Sequence, residues 1–369
     1  MAATPQTSPP QPTGDSASER RRGIRATLNG FLERSQSESW IDLFFLPVVL
    51  ILLVAFFGII TDGFLNSTNL STIAVQASIL AIVAFGMTYL LLAAELDLSV
   101  GAGVALVSVV AALVMRDSGS VALGVLAGVG AGTAMGLFNG VVVTKLRVPS
   151  FIATLGMLVI AQGVALALTN GAVIGMLPPE INNLSADKFL GIRWLVWLTI
   201  AVFVVLALLQ TRTSFGVKVM ALGGNTEAAR LSGINVDRIR LLCFVIVGIC
   251  VGIAGIGLTS RVESGQPNAG GLLALTSIAA VVVGGTSILG GRGSVYRTLG
   301  GVLLIAVLDN GLDVAAVNSD LKQVIIGAVF IAAASVDFFR RRLQSKAEEE
   351  RVVAEVVAAA KARQAATGS

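Results

Sequence analysis

Apolar residues in this chain come in long unbroken blocks, and polar residues collect in the joints between them. From Trp40 onward ten blocks are legible, near residues 43–60, 71–94, 97–115, 121–143, 150–169, 194–210, 239–259, 272–289, 298–316 and 321–339. A helix needs about 20 apolar residues to cross the hydrocarbon core of a bilayer, and each block comes close to that. The pattern predicts an all-α polytopic membrane helical bundle with one transmembrane helix per block. Three parts follow: a disordered tail over 1–40, a transmembrane domain over 41–340 and a polar tail over 341–369, rich in Ala, Glu, Arg and Lys. The first 40 residues are rich in Pro, Ser, Thr and Gln and hold no apolar core, which marks a flexible tail and not a secretory signal.

Charge tests this division. Only 13% of the 369 residues are charged and 55% are apolar, whereas an ordinary soluble domain is about a quarter charged. The formal balance of +4 would suit a nucleic-acid binder if the charges clustered on one surface, but they sit in tails and short loops, so nucleic acid is not an expected partner. Lys and Arg concentrate in loops that stay in the cytoplasm. With both termini inside, only Arg116, Lys188, Arg193, Arg261 and Lys322 of the 26 basic residues fall outside. A missed helix would have scrambled this asymmetry. With no His, and with Cys243 and Cys250 two turns apart inside one block, the sequence offers neither a metal site nor a disulfide framework.

Three polar stretches interrupt the blocks. In Glu95-Leu96-Asp97-Leu98-Ser99-Val100-Gly101, a two-residue break between helices makes Asp97 the expected N-cap of the third span, assisted by Ser99. Glu95 has no such structural role. Catalysis by this acid pair is not supported, since residues i and i+2 on a helix point apart and no His accompanies them. Over 223–234, Asn225 or Thr226 caps a short helix that carries Glu227, Ala228, Ala229, Arg230 and Leu231 and stops at Gly233. It projects from the spans among basic residues, as a docking knob for a cytoplasmic partner would, or as a plain amphipathic connector. The glycine-rich stretch 283–295 lacks the Gly-Lys-Ser/Thr ending of a phosphate loop and reads as a tight turn between two spans.

Within the spans, Gln76, Asn139, Gln162, Asp309 and Asn310 are polar exceptions. Such groups are costly in lipid and usually face a bundle interior or a wet path, so they are the candidate pore-lining residues. The spacings Gly128-x-x-x-Gly132-x-x-x-Gly136 and Gly248-x-x-x-Gly252 predict close helix contacts.

Taken together, the three stretches resemble the permease subunits of ribose/xylose/galactose-type ATP-binding cassette (ABC) importers. Residues 95–101 resemble that family's Ile-Asp-Leu-Ser-Val-Gly segment, 223–234 its cytoplasmic coupling loop, and 280–293 its Val-Val-Gly-Gly-Thr-Ser-Leu-Gly-Gly-Gly-Arg-Gly segment. Where many relatives carry Gly-Gly before the first segment, Ala94-Glu95 stands here. The resemblance implies a non-catalytic subunit in a bacterial cell membrane that forms the path for a monosaccharide. It further implies a cytoplasmic ABC ATPase that holds ATP and magnesium, an extracytoplasmic sugar-binding protein and a second permease copy, with a homodimer expected. In that scheme Glu95, Asp97, Ser99 and Gly101 form the signature segment, and residues 225–231 with Gly233 contact the ATPase. Two other readings remain open at this stage. One is an ABC permease for a nucleoside, inositol or a signal molecule. The other is an ion-coupled secondary transporter using Glu95, Asp97 or Asp309.

Overall fold

The computed structural model describes residues 40–332 and Ser335; the two tails expected from the sequence lie outside these apart from Trp40. The chain divides into two units, Met1–Val48 and Val49–Ser369. The described part of the first, residues 40–48, is helical. In chain order the helices are α1 (Trp40–Ile60), α2 (Ser67–Leu92), α3 (Val100–Ser118), α4 (Val121–Lys145) and α5 (Ser150–Thr169). After a 3-10 turn at Pro179–Asn182 come α6 (Asn183–Ala186), the two-residue strands β1 (Lys188–Phe189) and β2 (Ile192–Arg193), and α7 (Trp194–Arg212). Then follow α8 (Ser214–Gly224), α9 (Thr226–Leu231), α10 (Val236–Val262), α11 (Leu273–Val283) and α12 (Val295–Val314), with a helical stretch over 319–332.

Each apolar block overlaps one of these helices, and residues 333, 334 and 336–339 of the last block, 321–339, lie outside the described residues. Seven of the helices, α2–α5, α7, α10 and α12, are long and apolar enough to cross a membrane by themselves. The block expected at 272–289 stops being helical at Val283, because Gly285, Gly290, Gly291 and Gly293 all take positive φ, which a helix does not allow. The break expected to be two residues long before α3 covers residues 93–99.

The second unit is assembled around α2 and α10. From Ala77 to Leu92 every α2 residue is buried, the signature of a helix apolar on all sides. α10 packs against α2, α3 and α4. Its contact with α4 runs through glycine: a Cβ on Gly132 would stand 2.6 Å from both the Gly248 carbonyl oxygen and the Gly252 nitrogen, and one on Gly136 would strike the Phe244 carbonyl. In lipid, helices gain nothing from hiding apolar surface and associate through such close backbone packing. α5 shows the opposite environment. It buries one stripe, Thr154, Met157, Ala161, Ala165 and Thr169, while Phe151, Ile152, Val159 and Ile160 face outward.

Candidate functional site

The three interrupting stretches meet at one end of the helices. α2 ends at Leu92, whose carbonyl accepts a hydrogen bond from the Gly291 N–H at 2.9 Å. Gly223, at the end of α8, lies so close that a Cβ there would collide with the Leu92 oxygen and stand 2.6 Å from the Gly291 nitrogen. A Cβ on Gly291 would stand 2.7 Å from the Gly224 Cα, and one on Gly290 would stand 2.8 Å from the Ala94 Cβ. Bare backbone from three distant segments makes this knot, and only glycine permits the approach. Gln210, buried near the end of α7, secures the glycine-rich turn: its Nε2 donates to the Gly293 carbonyl at 3.0 Å and its Oε1 accepts from the Val295 N–H at 2.9 Å. Gln210 closes the block 194–210 and is not among the polar residues that the sequence singles out.

The 93–99 break is held by two polar devices. The N-cap of α3 is Ser99, not Asp97 as expected. Asp97 is fully buried two residues earlier; its Oδ1 accepts from the Ser99 N–H at 2.8 Å and from the Ser99 hydroxyl at 2.5 Å. Asn139, on α4, donates to Asp97 Oδ2 at 3.3 Å and to Ser99 Oγ at 3.0 Å. The longer break causes the difference, since it leaves Asp97 room to fold back onto Ser99 instead of onto the helix. Burial pushes the Asp97 carboxyl above its ordinary range, and the hydrogen bonds from Ser99 and Asn139 oppose the rise. Glu95, which had no assigned structural role, forms an ion pair with Arg240 of α10, Oε1 to Nε 2.7 Å. Gly101 packs against Gly270, where a Cβ would collide with the Gly270 carbonyl.

α9 projects from the knot. Asn225 is its N-cap, its Oδ1 accepting the Ala228 N–H at 2.9 Å, and Glu227 occupies the first turn, where a negative charge suits the helix dipole. Thr226 bonds back to the Leu222 carbonyl. Gly233, at φ +81°, stops the helix. Glu227, Ala228, Arg230 and Leu231 are exposed, Leu231 to 82%, whereas Ala229 is 3% exposed and faces the protein.

The polar exceptions do not converge. Asn139 belongs to the Asp97 cluster described above. Asn310 exchanges hydrogen bonds with Asn69 at 2.9 and 3.1 Å, tying α12 to the start of α2. Asp309 and Asp313 share Lys322, at 2.9 and 2.7 Å. Gln162 donates to the Pro267 carbonyl at 2.9 Å. Gln76 is half-buried on α2, and its Oε1 has no partner among the described residues. Among those residues no cluster of three His, Cys, Asp or Glu could hold a metal ion.

Seven long apolar helices joined through glycine, with a projecting, capped helix at one end, define a multi-pass membrane protein. Residues 69–334 match the family described as "Branched-chain amino acid transport system / permease component", and the chain belongs to that family. It is 37% identical to the ribose import permease protein RbsC of Escherichia coli K12 over 294 residues, 79% of this chain and 92% of that one. To RbsC of Bacillus subtilis it is 38% identical over 290 residues, 78% and 90% of the two chains. To the L-arabinose ABC transporter permease protein AraH of Azospirillum brasilense it is 34% identical over 341 residues, 92% and 97%. No solved structure matches the chain. The chain is therefore a transport component of the cell membrane and not an enzyme, as the three motifs implied.

Proposed function

We propose that this chain forms the translocation path of an ABC importer for a monosaccharide, with a pentose first among the candidates. The observation that carries this reading is identity of 34–38% to ribose and arabinose permeases over most of both chains. The family description names amino acids, but a description covers many members, and the individual relatives align along a greater length. A monosaccharide is neutral and strongly hydrated, so its path needs polar groups without a fixed charge. The acids that an ion-coupled carrier would use are already engaged: Glu95 by Arg240, Asp97 by Ser99 and Asn139, Asp309 by Lys322.

Energy comes from a separate ATPase that docks on α9 through Glu227, Ala228, Arg230 and Leu231. The knot beneath α9 passes the movement to the 93–99 break and so to α2 and α3. An extracytoplasmic binding protein delivers the sugar, and a second copy of the chain completes the path. The test uses proteoliposomes holding the chain with its ATPase and binding protein. Radiolabelled ribose or arabinose should accumulate only with internal ATP. Uptake by the chain alone on a proton or sodium gradient overturns the reading, as does uptake of leucine or a nucleoside but no pentose.

A further inference from the structure

We infer that the β1–β2 hairpin is a membrane-interface anchor, its tip seated among the lipid headgroups and upper acyl chains where α7 enters the bilayer. The strands pair Lys188 with Arg193 and Phe189 with Ile192, which leaves Leu190 and Gly191 as a two-residue turn with φ of +53° and +80°. A turn with both central residues left-handed ordinarily carries Asn-Gly, because a branched apolar side chain is sterically disfavoured there. Leu190 nevertheless occupies that position and is 78% exposed. Phe189, Ile192 and Trp194 beside it are also exposed. In the same extramembrane segment Met176 repeats the combination, with φ +56° and 96% exposure. Apolar side chains held at tips in a disfavoured conformation make physical sense where the surroundings are not water.

The position of the hairpin supplies the partner. β2 runs directly into Trp194, the first residue of α7, which is long and apolar enough to span. Leu190 lies four residues earlier, so the tip stays within about 13 Å of the start of the span. The hairpin is also tied to its surroundings by ring contacts and hydrogen bonds. Phe189 stacks on Trp194 with ring centres 5.1 Å apart and meets Trp197 edge-on at 6.3 Å, while the Trp197 indole N–H donates to the Phe189 carbonyl at 3.1 Å. Arg193 donates to the Ser185 carbonyl at 3.0 Å. Trp rings favour the membrane–water interface, and a Lys such as the exposed Lys188 can keep its ammonium among lipid phosphates while its stem lies along apolar surface. The anchor would fix the outer end of the helix whose other end leads to α8 and α9. The inference rests on α7 crossing the bilayer and does not depend on the transported solute.

The experiment uses the full chain in vesicles of phosphatidylethanolamine and phosphatidylglycerol, with a nitroxide at Leu190→Cys and a water-facing reference at Ser232→Cys. Cys243 and Cys250 are buried, and the unsubstituted chain corrects for any label they take up. Power-saturation spectroscopy should show the Leu190 site several-fold more accessible to oxygen than to a water-soluble nickel chelate, with the order reversed at Ser232. Should the label disturb the turn, a nitroxide at Ile192→Cys, on the adjoining strand and also exposed, should show the same order. Water-like accessibility at both positions overturns the inference. So does protection that appears only when the extracytoplasmic binding protein is added, which would make the hairpin a protein-docking site.

Discussion

Asp97 is a buried carboxylate that organises a turn, and its value lies in what its removal would strand. Asp97→Ala takes away the acceptor for the Ser99 N–H and for one Asn139 contact in a fully buried site. An unsatisfied buried polar group costs about 1–3 kcal/mol. Thermal unfolding in detergent should therefore show a lowered Tm with the preference among sugars unchanged, and Asp97→Asn, which keeps an acceptor oxygen, should recover most of the loss. A fully stable Ala variant with altered sugar preference would mean that Asp97 faces the solute. The Glu95–Arg240 pair is a second case. Glu95→Gln should also lower Tm, because Arg240 is left beside a neutral partner in a site where Glu95 is only 7% exposed. Unchanged unfolding would show that the pair is too well solvated to matter.

At the scale of elements, α9 and the knot under it should be separable. Leu231 lies on the exposed face of α9, so Leu231→Asp should abolish co-purification of the ATPase while Tm stays the same. Gly223→Ala forces a methyl group into the Leu92 carbonyl. It should leave the ATPase bound but uncouple it, so that ATP hydrolysis continues without sugar uptake. Gly224 supplies the control, because a Cβ there meets nothing within 4 Å, and Gly224→Ala should transport normally. Equal behaviour of the two alanine variants would remove the knot from the coupling route. α9 was legible in the sequence because its cap and stop, Asn225 and Gly233, act on neighbours a few residues away. The knot was not, because Leu92, Gly223 and Gly291 come together only after α2, α8 and the glycine-rich turn have packed. The sequence also placed Ala229 on the docking surface, whereas it faces inward.

For the whole molecule, the charge asymmetry makes a prediction about sidedness. Contacts join segments that this asymmetry assigns to one side: Arg147 meets Asp237 at 3.7 Å, and Ile174 bridges to Gly265 across the other side. In intact cells an impermeant thiol reagent should label Ser118→Cys, while Ser232→Cys should react only after the membrane is opened. Labelling of both from outside would break the topology and, with it, the placement of α9 against a cytoplasmic ATPase.

The order of apolar and polar residues determined that this chain lives in lipid, how many apolar blocks it has and roughly where each lies, since the cost of placing a polar side chain in hydrocarbon arises residue by residue. It did not determine which helices face lipid and which are enclosed. α2 and α5 read as similarly apolar, yet α2 is buried on every side from Ala77 on and α5 along one stripe. To a Val or Leu side chain a bilayer and a protein interior are nearly the same solvent, so nothing in the pattern separates them. Packing also decided the pairings of Glu95 with Arg240 and of Asp97 with Asn139. These partners are far apart in the chain, and an ion pair or a hydrogen bond depends on distances that only the assembled helices set.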